Sequence, residues 1–174
     1  MPSVAHSSRL SDGRDAIKAT YFRGLDFVVN IDARLIRLQR AIGNKTLWSL
    51  PHPDALEIDD VMNADLLGYC HLMDVSGDRP ESFRFDVFGS SISIERGHDY
   101  RGRTLGDFGI SLLSQMAMQD YTRVRDERLP DVSQIDAQLG GRVVRYRRLI
   151  VPFSRDGRKV SDLLVAVTPN FVEI

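Results

Sequence analysis

Cysteine is almost missing from this chain. Its 174 residues include one, Cys70, which excludes an intrachain disulfide and supplies too little for a thiolate zinc cluster. Histidine is scarce as well. His6, His52, His71 and His98 are the four, and none stands in a His-x-x-x-His or His-Glu-x-x-His metal spacing. No N-terminal segment has the apolar core of a signal peptide, and no run reaches the roughly 18 apolar residues of a membrane span. An excess of one charge is also absent. Lys and Arg number 23 against 24 Asp and Glu, a formal net charge of −1, which argues against general attraction to nucleic acid or an anionic membrane. Aromatic residues, at 8%, are too sparsely interleaved with basic ones to suggest a base-stacking surface. The expectation is a reduced, soluble, cytoplasmic protein. Its 43% of hydrophobic residues can bury a real core, and its length fits one domain with extensions.

The chain divides into three parts. Residues 1–15, MPSVAHSSRLSDGRD, are Ser-rich and without periodicity, and are expected to be a mobile, disordered tail. Residues 16–46 form an N-terminal helical extension. Within it Val28, Ile31, Leu35, Leu38 and Ile42 recur at steps of three and four, one stripe of an amphipathic helix stopped by Gly43-Asn44. Such a stripe packs on its own domain or forms the seam of a homodimer. Residues 47–174 form the main domain. A Pro-interrupted connector leads to strands at Leu66–Val75 and Phe83–Phe88, a helix at Ile110–Arg128, and strands at Val132–Gln138, Val143–Phe153 and Lys159–Thr168. Gly140-Gly141 and Asp156-Gly157 are hairpin turns. This order predicts an α+β domain, a five-stranded antiparallel sheet with helices on one face.

The glycines in FRFDVFGSSISIERGHDYRGRTL invite a phosphate-loop reading. However, Gly89, Gly97 and Gly102 lie eight and five apart with no Lys-Ser or Lys-Thr after them, so they cannot converge on one anion. Gly89 and Gly102 are expected to be folding positions instead. The stretch resembles something else. Phe83-Arg84-Phe85, Val87-Phe88, Gly89-Ser90 and the Gly97–Arg103 segment are similar to the strand-to-helix passage of a bacterial branch of PAS domains, where Gly-Thr or Gly-Ser ends the second strand and a Gly-x-x-x-x-Gly-Arg segment follows. Leu149–Ser154 with Asp156-Gly157 resembles that branch's apolar-Pro-apolar strand and turn, and Trp48 with DALEIDDV its lead-in. The likeness runs from about Leu47 to Val167. Asp86 stands where the branch carries a basic residue, which weakens an anion contact there. The resemblance implies a PAS-like fold enclosing a small cavity, a homodimer joined through the Val28, Ile31, Leu35, Leu38 and Ile42 stripe, and a sensory or adaptor role in signalling through a separate partner protein.

The residues narrow the chemistry further. The resemblance to haem-binding PAS domains would need a His on the long helix, which has only Met116 and Met118. Photoactive flavin PAS domains would need a helical Cys, whereas Cys70 falls in a predicted strand. No cofactor is therefore expected. Ser91, His98 and Asp99 could be assembled into a triad, but no Gly-x-Ser-x-Gly supports it, and Asp59-Asp60 lie in a polar lead-in. The protein is read as a non-enzyme. Arg145 and Arg147 share one strand face and Arg148 takes the other, beside Tyr146 and Ile150. Facing inward, Arg148 needs an acid, and Glu95, Asp86 and an external anion are the candidates. Phe85, Val87, Met116 and Tyr121 are expected to border a ligand cavity, with Tyr146 or Arg148 as its polar handle. The alternatives are a ligand-free docking module, and a small isomerase- or hydratase-type enzyme on a cone-like curved sheet.

Overall fold

The computed structural model describes residues 6–22, 32–44, 50–109, 111–168 and 172–173. A β-hairpin comes first. β1 (His6–Ser11) and β2 (Ala16–Phe22) flank a turn in which Asp12 Oδ1 accepts from the backbone N–H groups of Arg14 (3.0 Å) and Asp15 (2.8 Å), local bonding that suits Asp to turns. Ile17, Ala19 and Tyr21 point to the core, while Lys18 between them is exposed. A continuous register from Ala16↔Gln138 to Phe22↔Val132 pairs β2 with β5 (Asp131–Leu139).

Helix α1 (Ala33–Asn44) is followed by a 3-10 turn (Pro53–Ala55), α2 (Ile58–Asn63), β3 (Cys70–Asp74), a 3-10 turn (Pro80–Ser82), β4 (Arg84–Val87) and α3 (Ser90–Arg96). A third 3-10 turn (Leu105–Phe108) precedes the long helix α4 (Leu112–Glu127). Ser111 and Ser114 cap α4 reciprocally, each hydroxyl accepting the other's backbone N–H at 3.1 Å. β5 then turns through Gly140-Gly141 into β6 (Arg142–Phe153), and β7 (Asp162–Val167) and β8 (Val172–Glu173) follow. The strands form one antiparallel sheet in the order β1-β2-β5-β6-β7-β3-β4, and β8 also pairs with β6.

The expected five-stranded sheet is thus corrected to a seven-strand path. From α1 to β7 the element order follows the sequence reading. The extra strands, β1 and β2, come from residues read as tail and helical extension. Both are short, and β1 is Ser-rich with almost nothing apolar beyond Leu10, so its pairing rests on the backbone ladder with β2. Helices on one face alone is corrected as well. β7 and the second half of β6 are buried on both sides: Ile150, Leu163 and Val165 join the core under α4, while Leu149, Val151, Leu164 and Ala166 join a second core under α1 and α2. Leu35, Leu38 and Ile42 of α1 belong to that second core, so within the single chain they already pack against its own sheet. Val28 and Ile31, the other members of the expected dimer stripe, lie outside the described residues.

Candidate functional site

A recess of about 70 Å³ lies between α4 and the sheet. Its shape starts with a bulge. Leu72 pairs with Val87 but Met73 pairs with Phe85, so Asp86 is one residue too many for the ladder. An extra residue turns over the side chains that follow it. Phe85 and Phe88 therefore face the recess, while Val87, 48% exposed, faces away. Behind the bulge Gly89 comes so close to β3 that a Cβ on it would lie 2.4 Å from the Gly68 carbonyl oxygen. The Gly89 N–H donates to His71 Nδ1 at 3.1 Å, and the imidazole sits 4.3 Å from the Phe88 ring, centroid to centroid. Phe108 completes this wall, stacked at 3.7 Å on Tyr100.

The opposite end of the recess is polar. β6 presents Tyr146, Arg148 and Ile150 on its inner face, as strand parity predicts, and α4 brings Tyr121. Arg148 is 3% exposed. Its counter-ion is Asp120 of α4, itself 1% exposed, to which Arg148 Nη2 donates. Nη2 also lies 3.3 Å from Ser133 Oγ. Tyr21 of β2 donates to Asp120 Oδ1 at 2.6 Å, and Arg123 links Asp120 (3.1 Å) to Asp131 (3.0 Å) while stacking over the Tyr21 ring at 4.5 Å. Burial works against the Asp120 carboxylate, but the Arg148 charge and the hydrogen bonds from Tyr21, Arg148 and Arg123 outweigh it, and its pKa is lowered. Burial and the neighbouring Asp120 charge push Tyr21 up to about 12. Burial likewise disfavours the Arg148 cation, yet Asp120 outweighs it and the guanidinium pKa is raised. Among the described residues Arg148 Nε has no partner, although it is buried.

The chain matches no family model, no curated protein and no solved structure. Geometry alone must locate the site.

Of the residues expected around a cavity, Phe85, Tyr121, Tyr146 and Arg148 line the recess. Val87 does not, because of the bulge. Met116 is buried on α4 between lining residues but points to β1 and β2 instead, its sulfur 3.6 Å from the Tyr21 hydroxyl. Of the acids named for Arg148, Asp86 pairs instead with Arg84 at 3.0 Å, and the Glu95 side chain lies outside the described residues. Sequence reasoning missed Asp120, His71 and Tyr21. A signal for Asp120 was present, since an acid four residues after Met116 and four before Val124 stands in the apolar stripe of α4.

A second, open recess of about 460 Å³ lies on the outer side of β3 and β4, against α2. It is lined by Ile58, Leu67 and Val87, all substantially exposed, and shares His71 and Phe88 with the inner one. Cys70 also borders it, its thiol pushed up to about 12 by burial and so a poor nucleophile at neutral pH. Among the described residues no group of three or more His, Cys, Asp or Glu could hold a metal ion, and no helix is long and apolar enough to cross a membrane.

Proposed function

We propose that the chain is a cytoplasmic, PAS-type sensory protein in which a small molecule in the inner recess biases the packing of α4 on the sheet. The observation that supports this best is the recess itself. It pairs an aromatic wall with a buried cation that retains an undonated N–H, the combination of apolar lining and few polar groups usual in ligand sites. The motif resemblance between Leu47 and Val167 points the same way. The polar end supplies a route outward: a guest that draws on Arg148 perturbs Asp120, and Asp120 is held by Tyr21 of β2 and Arg123 of α4. A ligand with unequal affinity for two arrangements of this network would shift their populations. Native mass spectrometry of the protein purified from its source tests the reading. A bound small molecule, lost on Phe85→Trp filling of the recess, is expected. Occupancy unaffected by that substitution would overturn it.

A docking role has its own support in the outer recess, whose exposed Ile58, Leu67 and Val87 are unusual in a solvated surface. Under that reading, Val87→Glu abolishes partner capture while leaving the inner recess unchanged.

A further inference from the structure

We infer that the inner recess takes a neutral, compact, largely apolar molecule with an acceptor oxygen, a short carbonyl compound in its simplest form, and that Arg148 Nε donates to that oxygen. The inference rests on the ligand-binding reading above and specifies its chemistry.

Charge counting comes first. The buried cluster behind the recess holds Asp120 and Asp131 against Arg123 and Arg148, two carboxylates and two guanidiniums. Tyr21 adds no charge, since it enters as a hydroxyl donor. The cluster is balanced before any guest arrives. A carboxylate or phosphate would leave a net buried negative charge, which is costly away from water.

Donor geometry points the same way. Recognition of an anion by Arg works best through two parallel N–H groups. Nη2 of Arg148 is already donated to Asp120, with Ser133 Oγ alongside, and Nε is the buried nitrogen left without a partner. A carbonyl or hydroxyl oxygen can satisfy one N–H without a counter-charge. The other walls offer mainly carbon: Phe85, Phe88 and Phe108, with Ile92, Leu105 and Val165.

Size sets the third limit. A cavity of about 150 Å³ accommodates benzene; by proportion, the recess of about 70 Å³ suits a guest of roughly three or four non-hydrogen atoms.

Three probes of similar size separate the possibilities: xenon (apolar), acetone (neutral acceptor) and acetate (charged acceptor). Titrated into the full-length chain, they are read by methyl resonances of Leu113 and Val165 and by the Arg148 Nε–H signal. Acetone is expected to shift both sets and to bind at least threefold tighter than acetate, and Arg148→Lys, which keeps the cluster's charge but removes Nε, is expected to weaken acetone while leaving acetate the poorer guest. Because that variant also disturbs the buried pair with Asp120, the wild-type Nε–H shift is the deciding measurement. Should xenon and acetone both fill the recess without moving the Nε–H signal, the recess binds small molecules but the Arg148 contact is wrong, and a resident water satisfies Nε. Tighter binding of acetate would overturn the charge argument. If none of the three perturbs Leu113 or Val165, the ligand-binding reading itself falls.

Discussion

At the scale of single residues, stability concentrates where Arg148 meets Asp120. Breaking a buried ion pair from one side leaves the other charge uncompensated, a loss of about 3–5 kcal/mol. Arg148→Met is expected near the lower end of that range, since Tyr21 and Arg123 still donate to Asp120. Asp120→Asn combined with Arg148→Met should recover a good part of the loss. Urea unfolding of the cycle checks this, and strictly additive effects would contradict the coupling. The same cluster governs pH dependence. Asp120 has a lowered folded pKa, so its contribution is present above the ordinary carboxylate range and is lost as pH falls through the folded value. Tyr21 behaves oppositely. Its pKa is raised from 10.0 to about 12, so the folded state keeps a proton that the unfolded chain releases. Its contribution is complete below pH 10 and disappears between pH 10 and about 12. Cys70, raised from 9.0 to about 12, adds a decline that begins a unit earlier. Tyr21→Phe should make the fall of the urea midpoint between pH 10 and 12 shallower, leaving the share from Cys70, and should leave the slope from 9 to 10 intact. An unchanged profile in that variant would place the alkaline transition elsewhere.

At the scale of elements, the β4 bulge and α1 carry the sharpest tests. Gly89 has a φ of −58°, which any residue adopts, so the cost of Gly89→Ala lies wholly in the contact with the Gly68 carbonyl. Gly102 is the reverse case, with open space around it and a φ of +79°. Both substitutions should destabilise, Gly102→Ala by about 1–2 kcal/mol through backbone strain and Gly89→Ala by about 1–3 kcal/mol through overpacking. Melting temperatures unchanged in both would refute the mechanical role of these glycines. Leu38 is fully buried against the sheet, so Leu38→Glu should destabilise the folded chain by at least about 3 kcal/mol, beyond the loss of the leucine side chain alone. Sedimentation with urea unfolding distinguishes this from the simple splitting of a dimer into stable monomers. These elements also mark how far the sequence could be read. The long helix, the Gly140-Gly141 turn and the shared strand face of Tyr146, Arg148 and Ile150 were legible because each depends on a local period or a local backbone requirement, whereas which way that face turns depends on the rest of the sheet. The bulge at Asp86 was not, for it is set by pairing with β3, and one unpaired residue was enough to move Val87 out of the site. β2 was read as part of a helical segment because Ile17, Ala19 and Tyr21 alternate over too short a span to outweigh the helical stripe that follows. Asp120 was passed over because its partners lie far away in sequence, on β2 and β6.

At the scale of the whole molecule, the hairpin β1–β2 extends the sheet beside β5 and also joins the polar end of the recess. Ser8 of β1 lies 3.1 Å from the Tyr21 hydroxyl, which in turn donates to Asp120 on α4. The hairpin is therefore linked to the site as well as to the sheet edge. Its two strands should nevertheless differ in protection. β7 and the second half of β6, from Arg148 to Phe153, are covered on both faces, whereas β1 is an edge strand with mostly exposed side chains. Local opening is easiest where few apolar contacts must break. Backbone hydrogen exchange is expected to be slowest in β6 and β7, intermediate in β2 and fastest in β1. A guest seated against Arg148 adds to this order selectively. By stiffening Arg148 and Asp120 it should slow exchange in the middle of α4 and in β2 around Tyr21, and leave the α1 and α2 side of the sheet unchanged. Tyr21→Phe removes the hydrogen bond between β2 and Asp120 but keeps the ring, so it should abolish the slowing in β2 while preserving that in α4. Exchange mass spectrometry with and without acetone reads both effects. Equal slowing of β2 in wild type and in Tyr21→Phe would show that the hairpin responds through the sheet ladder with β5, and the Tyr21–Asp120 contact would then have no part in carrying the signal.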